Sequence, residues 1–274
     1  YEEYPNRAVA ERIVKYVPQH ADFAYTAADV QTYFSDKEIS TLLLINPDNP
    51  SGNFIPMADL LPLVEWAGLQ GITIIVDESF VDFSDGFEGN SLLHNDILET
   101  YGNLVVVKSI SKSYGVPGLR LGVLASGNKD LIARMKKEVA IWNINSFCEF
   151  FMQIYTKYET DYKRAEFYMQ IFGKYEKDYA IACQRFIKER GIFFEELQSV
   201  PYLRVIPSQA NYFLCEVTGK YTATELTHLL LQRYNILVKD CGTKSAFAGK
   251  QYIRIAIRDR ADNTYFVEAL KELA

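Results

Sequence analysis

The sequence lacks any apolar run near the roughly 20 residues that cross a bilayer. Its longest, such as 42–45 and 74–76, are the size of buried strands. It has only three histidines, His20, His94 and His228, which cluster neither with one another nor with the cysteines, so a zinc site is not expected. The four cysteines, Cys148, Cys183, Cys215 and Cys241, show no C-x-x-C spacing. In a chain of 274 residues that argues for reduced thiols in a cytoplasmic protein and against a disulfide frame. No G-x-G-x-x-G opens a helix, and no Gly-Lys is followed by Ser or Thr, so dinucleotide and Walker phosphate loops are both excluded. An excess of basic charge is also missing. The net charge of −6 should repel a phosphate backbone, so neither nucleic acid nor membrane is an expected partner.

What is there is a globular pattern, with 49% hydrophobic and 23% charged residues and no low-complexity tract or internal repeat. From Thr41 to about Ala125 short apolar strands alternate with amphipathic helices. The spacing predicts strands over 42–45, 72–76, 104–107 and 121–125, and a helix over 57–69 with Leu60, Leu61, Val64 and Ala67 on one face. Strands apolar on both faces and joined through helices indicate an α/β layer. A helix is expected over 131–139, an interruption at Trp142-Asn143-Ile144-Asn145, and then a long helical stretch to about Arg190. A smaller unit follows, with strands near 203–206, 211–216 and 252–257 and helices near 223–234 and 263–273. These shifts divide the chain into a large domain over 1–145, bridging helices over 146–191 and a small domain over 192–274.

Four elements fall just after an apolar strand or beside one, at the edge where open α/β sheets bind ligands. They are Asn49 in Asn-Pro-Ser-Gly, Asp77 in Val-Asp-Glu-Ser-Phe, Lys112 in Ser-Ile-Ser-Lys-Ser-Tyr-Gly, and Arg120 in Pro-Gly-Leu-Arg-Leu-Gly. Each alone has an ordinary reading: a turn, a helix cap, a solvated lysine, a surface arginine. In this order and spacing they resemble the class I/II aminotransferases, the pyridoxal 5′-phosphate (PLP) enzymes of fold type I. The resemblance implies a large domain with a mostly parallel sheet that carries the cofactor, and a small C-terminal α/β domain.

It also implies a role for each residue. Lys112 is similar to the Schiff-base lysine, which then serves as general base and so needs an amine kept neutral by desolvation and positive neighbours. Asp77 resembles the carboxylate that pairs with the pyridine N1, and Asn49 the amide that donates to O3′. Ser109, Ser111 and Arg120 match the phosphate cup. Tyr1 stands where the family stacks an aromatic ring on the pyridine. Arg254, in Tyr-Ile-Arg-Ile-Ala, is similar to the fork that grips the substrate α-carboxylate. Arg258, two alternations on, is read either as a contact for a second anionic group or as a surface ion pair.

The motifs Pro-Gly-Leu-Arg-Leu-Gly over 117–122 and Ala210-Asn211-Tyr212 resemble the histidinol-phosphate aminotransferase and threonine-phosphate decarboxylase branch. Asp77-Glu78-Ser79-Phe80 with Val81-Asp82-Phe83, and Trp142-Asn143-Ile144-Asn145, are closer to the decarboxylase. Phe80 replaces the tyrosine that usually donates to O3′, so stabilisation of the O3′ anion should be weaker. The family's Gly-rich phosphate turn and its partner-reaching tyrosine precede the position of Tyr1, and are expected to lie outside this sequence. The implied activity is amino-group transfer between an amino acid and a 2-oxo acid, or else decarboxylation of a phosphorylated amino acid. A non-catalytic module of the same fold is the remaining reading. Small-molecule substrates and a homodimer are the implied partners.

Overall fold

The computed structural model of the chain describes residues 13–113, 117–139, 143–152, 166–242, 247 and 249–274. Two four-stranded sheets, each with its own apolar core, organise them. The first sheet holds β1 (Thr41–Ile45), β2 (Thr73–Asp77), β3 (Leu104–Ser109) and β4 (Gly122–Ala125) in that order. β1, β2 and β3 are parallel, and β4 returns antiparallel along β3. The second sheet holds β5 (Leu203–Val205), β6 (Tyr212–Val217), β8 (Tyr252–Ala256) and β7 (Lys239–Asp240), with every pairing antiparallel. The layer architecture is α/β with a mostly parallel main sheet, as expected.

Parallel strands need crossovers, and helices supply them. α1 (Ala27–Phe34) precedes β1 and starts at a capping box in which Thr26 and Asp29 each bond the other's backbone. α2 (Met57–Leu69) joins β1 to β2 and buries Leu60, Leu63, Val64 and Ala67. The expected face is found and is wider, with Leu63 fully buried and Leu61 partly buried against the same core. α3 (Asn95–Thr100) joins β2 to β3. Ile74, Leu104, Val106 and Val64 are at 0% exposure, so the centre of this layer is dry. Each such side chain contributes roughly 1.5–3 kcal/mol by its removal from water.

After β3 come α4 (Ile110–Ser113), β4 and α5 (Lys129–Glu138), the last capped by Asn128 Oδ1 on the Leu131 amide. The long helix α6 (Glu166–Gln198) runs past the expected end at Arg190, because Phe193 and Leu197 are fully buried in the core of the second sheet. Burial of one more apolar turn extends it. α7 (Ala223–Tyr234) and α8 (Arg260–Glu272) complete that core. α8 begins three residues earlier than expected, since Asp259 caps it by accepting from the Asp262 amide. The two-residue strand β7 has too few residues for a sequence pattern and was not anticipated.

The two sheets meet through close contacts. Arg190, almost fully buried, donates to the Phe83 carbonyl, to Asp85 Oδ1 at 2.7 Å and to Gln209 Oε1 at 3.1 Å. Burial pulls the Arg190 guanidinium below its ordinary pKa, and Asp85 opposes that. Gly52 has φ of 79°, and a Cβ there would lie 2.0 Å from Ser208 Oγ. Only glycine tolerates both conditions at this joint. Gly52→Ala should therefore lower the melting temperature by several degrees, and Ser208→Gly in that background should recover part of the loss. Differential scanning calorimetry of the two variants checks both the clash and its partner.

Candidate active site

The carboxyl ends of the parallel strands build the site. Ile45 is paired with Asp77, and Asp77 with Val107, so β1, β2 and β3 finish side by side. The turn after β1 is held by Asn46, which is buried and exchanges two 2.8 Å bonds with the Ile55 backbone. Its peptides Asn46-Pro47 and Asn49-Pro50 are cis. This turn presents Asn49, whose Oδ1 accepts from Arg254 Nη1 at 2.9 Å. Residues 205 positions apart are thereby joined across the two sheets.

Arg254 also lies 5.0 Å from the centre of the Tyr212 ring, and the Tyr212 hydroxyl donates to the Asp48 carbonyl at 2.8 Å. Burial, with the Asp48 carboxylate nearby, raises the Tyr212 phenol far above its ordinary pKa, so it stays a neutral donor. Phe80 is buried and meets Tyr212 edge-on, with ring centres 5.3 Å apart. Lys112 Nζ stands 5.9 Å from the centre of the Phe80 ring. Lys112, Phe80, Tyr212, Arg254 and Asn49 therefore form one continuous line across the edge.

Asp77 closes β2, and its Oδ1 accepts from the Ser79 amide at 2.9 Å and the Ser79 hydroxyl at 2.5 Å. The Ser109 amide in turn donates to Ser79 Oγ at 2.9 Å. Beside this chain of bonds, Lys108 and Asp82 form an ion pair at 2.9 Å, with 13% and 12% of their side-chain surfaces exposed. Glu78 points the other way into the core and accepts from Ser91 Oγ and the Leu92 amide. Desolvation raises its pKa, and those two donors partly offset the shift.

Two hydroxyls flanking Lys112, Ser111 Oγ and Ser113 Oγ, are buried without a partner among the described residues. A buried hydroxyl left unmet costs about 1–3 kcal/mol, and a phosphate oxygen is an acceptor that suits such a pair. Arg120 is exposed just before β4, at φ of 57°. Ile110, two residues before the lysine, donates its amide to the Leu121 carbonyl at 3.3 Å, which ties the lysine turn to the arginine segment. Asn145 adds a bond from Nδ2 to the Leu119 carbonyl at 3.0 Å, so Asn145 docks on that same segment.

Not every expectation survives. β8 ends at Ala256, so Arg258 is not on the strand; its Nε donates to Asp262 Oδ2 at 2.5 Å on an exposed surface. The strand ends there because the Arg258 amide bonds Asn263 Oδ1 instead of a neighbouring strand. Lys112 is exposed, so the described residues do not provide the desolvation expected around its amine. Tyr1 and Trp142 lie outside the described residues. Ser79, Ser113, Lys108, Asp82 and Tyr212 were given no site role from sequence, although Ser79, Asp82 and Tyr212 stand in the motifs quoted for the branch.

The sequence model of the family described as "Aminotransferase class I and II" matches residues 1–270. The chain belongs to that family. Its members are PLP-dependent, and the orphaned hydroxyls beside Lys112 fit a phosphorylated cofactor. Over its whole length the chain is 32% identical to the CMP-5′-(3-aminopropyl)phosphonate synthase of Streptomyces rubellomurinus, and spans 40% of that protein. It is 29% identical to the L-serine phosphate decarboxylase of Sulfurospirillum multivorans, with 95% of this chain and 62% of the relative aligned. The histidinol-phosphate aminotransferase structure from Clostridium acetobutylicum superposes with a TM-score of 0.78 at 26% identity, covering all of this chain and 75% of that one. The fold is therefore that of fold type I PLP enzymes. Among the described residues, no helix is long and apolar enough to cross a membrane.

The buried Lys108–Asp82 pair yields a stability prediction for this family member. Lys108→Met should cost about 3 kcal/mol, because it strands the Asp82 carboxylate in a poorly solvated place. Adding Asp82→Asn should return most of that loss. Urea unfolding of the two variants checks the pair.

Proposed function

We propose that the site removes the α-carboxylate of an amino acid bearing a phosphate or phosphonate group, with PLP held on Lys112. The observation that carries this reading is the Asp77-Glu78-Ser79-Phe80 turn, in which a buried phenylalanine occupies the place of the usual tyrosine donor. The L-serine phosphate decarboxylase similarity supports it. So does the aminopropylphosphonate named in the Streptomyces relative, since a primary amine on an unbranched carbon is what α-decarboxylation leaves.

When bound, PLP supplies an aldehyde that condenses with amines and a ring that withdraws electrons from the bond being broken. The chain's residues do the rest. Ser109, Ser111 and Arg120 would hold the phosphate, and Asp77 would keep a proton on the ring nitrogen. Arg254 would orient the substrate carboxylate, with its own fork steadied by Asn49 and the Tyr212 face. The bond to Asn49 limits rotation of the guanidinium, so the carboxylate would meet a fixed donor. Lys112, displaced by the incoming amine, would return a proton to the α-carbon. With Phe80 in that place, Asn49 would be the side-chain donor to the cofactor oxygen O3′.

Transamination is the second reading, and the superposition on a histidinol-phosphate aminotransferase favours it. In that case Lys112 would move the proton between the α-carbon and C4′. The two reactions separate cleanly. With PLP and carboxyl-labelled O-phospho-L-serine or O-phospho-L-threonine, the full-length protein should release labelled CO2 and keep its cofactor as PLP. Conversion of the cofactor to pyridoxamine phosphate without CO2 release would establish transamination instead. Lys112→Ala should abolish either product and prevent borohydride from fixing PLP to the chain. Phe80→Tyr should shift the pH midpoint of the bound cofactor's visible absorption to lower values; an unchanged midpoint would mean that Phe80 lies out of reach of O3′.

A further inference from the structure

We infer that Ser79 is a positioning residue for the cofactor-facing carboxylate: its hydroxyl aims Asp77 and at the same time ties Asp77 to the strand end that carries Ser109. The inference rests on the reading that Asp77 meets the ring nitrogen, and goes beyond it by naming what orients that carboxylate.

The hydrogen-bond inventory of a hydroxyl makes the argument specific. Ser79 Oγ has one proton and two lone pairs. The proton goes to Asp77 Oδ1 at 2.5 Å, and a lone pair receives the Ser109 amide at 2.9 Å. Because the amide fixes the direction of the hydroxyl, its proton has one place to go. The Ser79 amide adds a second donor to the same Asp77 oxygen at 2.9 Å. Oδ1 is thus fully engaged, and Oδ2 is the oxygen that no donor among the described residues meets. A carboxylate free to turn about its own bond would present either oxygen, and only one orientation serves a ring nitrogen in a fixed pose.

The serine is 7% exposed, so water does not replace the hydroxyl readily. The same turn is held independently at its far end by Lys108 and Asp82. Loss of the Ser79 hydroxyl therefore removes the shorter of the two bonds that aim Asp77, while leaving the turn anchored. The Ser109 amide loses its acceptor in the same change, which links the ring end of the site to the phosphate end.

The test is a double-mutant cycle on the full-length protein, read by titrating PLP and following its absorbance. Ser79→Ala should weaken PLP binding about tenfold, the usual size for a hydrogen bond to a charged group. Ser79→Thr, which keeps the hydroxyl, should restore binding to within about twofold of the parent. In an Asp77→Ala background, Ser79→Ala should add less than about twofold, since there is no carboxylate left to aim. Ser79→Cys keeps the volume and is a poor donor, so it replaces the alanine variant if that one does not fold. An equal loss with and without Asp77 would overturn the inference, and so would no loss from Ser79→Ala. Should Asp77→Ala itself bind PLP as the parent does, the failure would belong to the Asp77 reading, and the inference would fall with it.

Discussion

Because β1, β2 and β3 run parallel and in register, their carboxyl ends emerge along one edge, and Asn49, Asp77 and Lys112 are placed by that fact. The turn after β1 carries Asn49, β2 ends in Asp77, and β3 runs straight into the turn that holds Lys112. A parallel pair cannot be joined by a tight hairpin, so α2 and α3 must cross over, and their apolar faces cover the sheet. The dry layer around Val64, Ile74, Leu104 and Val106 is what keeps these strand ends at constant spacing. Polar chemistry at the edge depends on apolar packing behind it.

The second constraint is the contact between sheets. Arg254 belongs to an antiparallel sheet with its own core, and reaches the first only because β8 delivers it opposite the Asn49 turn. Three kinds of force hold the two together there: a glycine that admits Ser208, a buried arginine shared among Phe83, Asp85 and Gln209, and the ring contacts of Phe80 with Tyr212. Phe80 and Tyr212 act as a spacer between two nitrogen-bearing side chains, Lys112 on one side and Arg254 on the other. The Lys112 and Arg254 side chains are thereby kept apart by two rings that carry no charge.

Much of this could be read from residue order. Asn-Pro-Ser-Gly, Val-Asp-Glu-Ser-Phe, Ser-Ile-Ser-Lys and Pro-Gly-Leu-Arg are local signals, each written into a few neighbouring residues. Strand positions in the first sheet were legible as short runs of Ile, Leu and Val, although in β1 and β2 only alternate residues are buried and β4 is mostly exposed. The helix over 57–69 was found with its face, but that Leu63 is buried more deeply than Leu61 was not legible, because the two are equally apolar and only the packing ranks them. Arg258 was misplaced for a related reason. Alternation along a strand continues on paper, whereas the real strand stops where Asn263 captures the next amide.

The sequence by itself determined the family and the cofactor class, because those depend on short motifs whose residue types the chemistry requires. The tertiary structure alone decided the support around them. Ser79 gripping Asp77, Lys108 finding Asp82, Arg254 resting on Asn49 and Tyr212, and the exposure of Lys112 all depend on distances between segments. A hydrogen bond depends on a few tenths of an ångström and on direction, and neither is written in the order of residues.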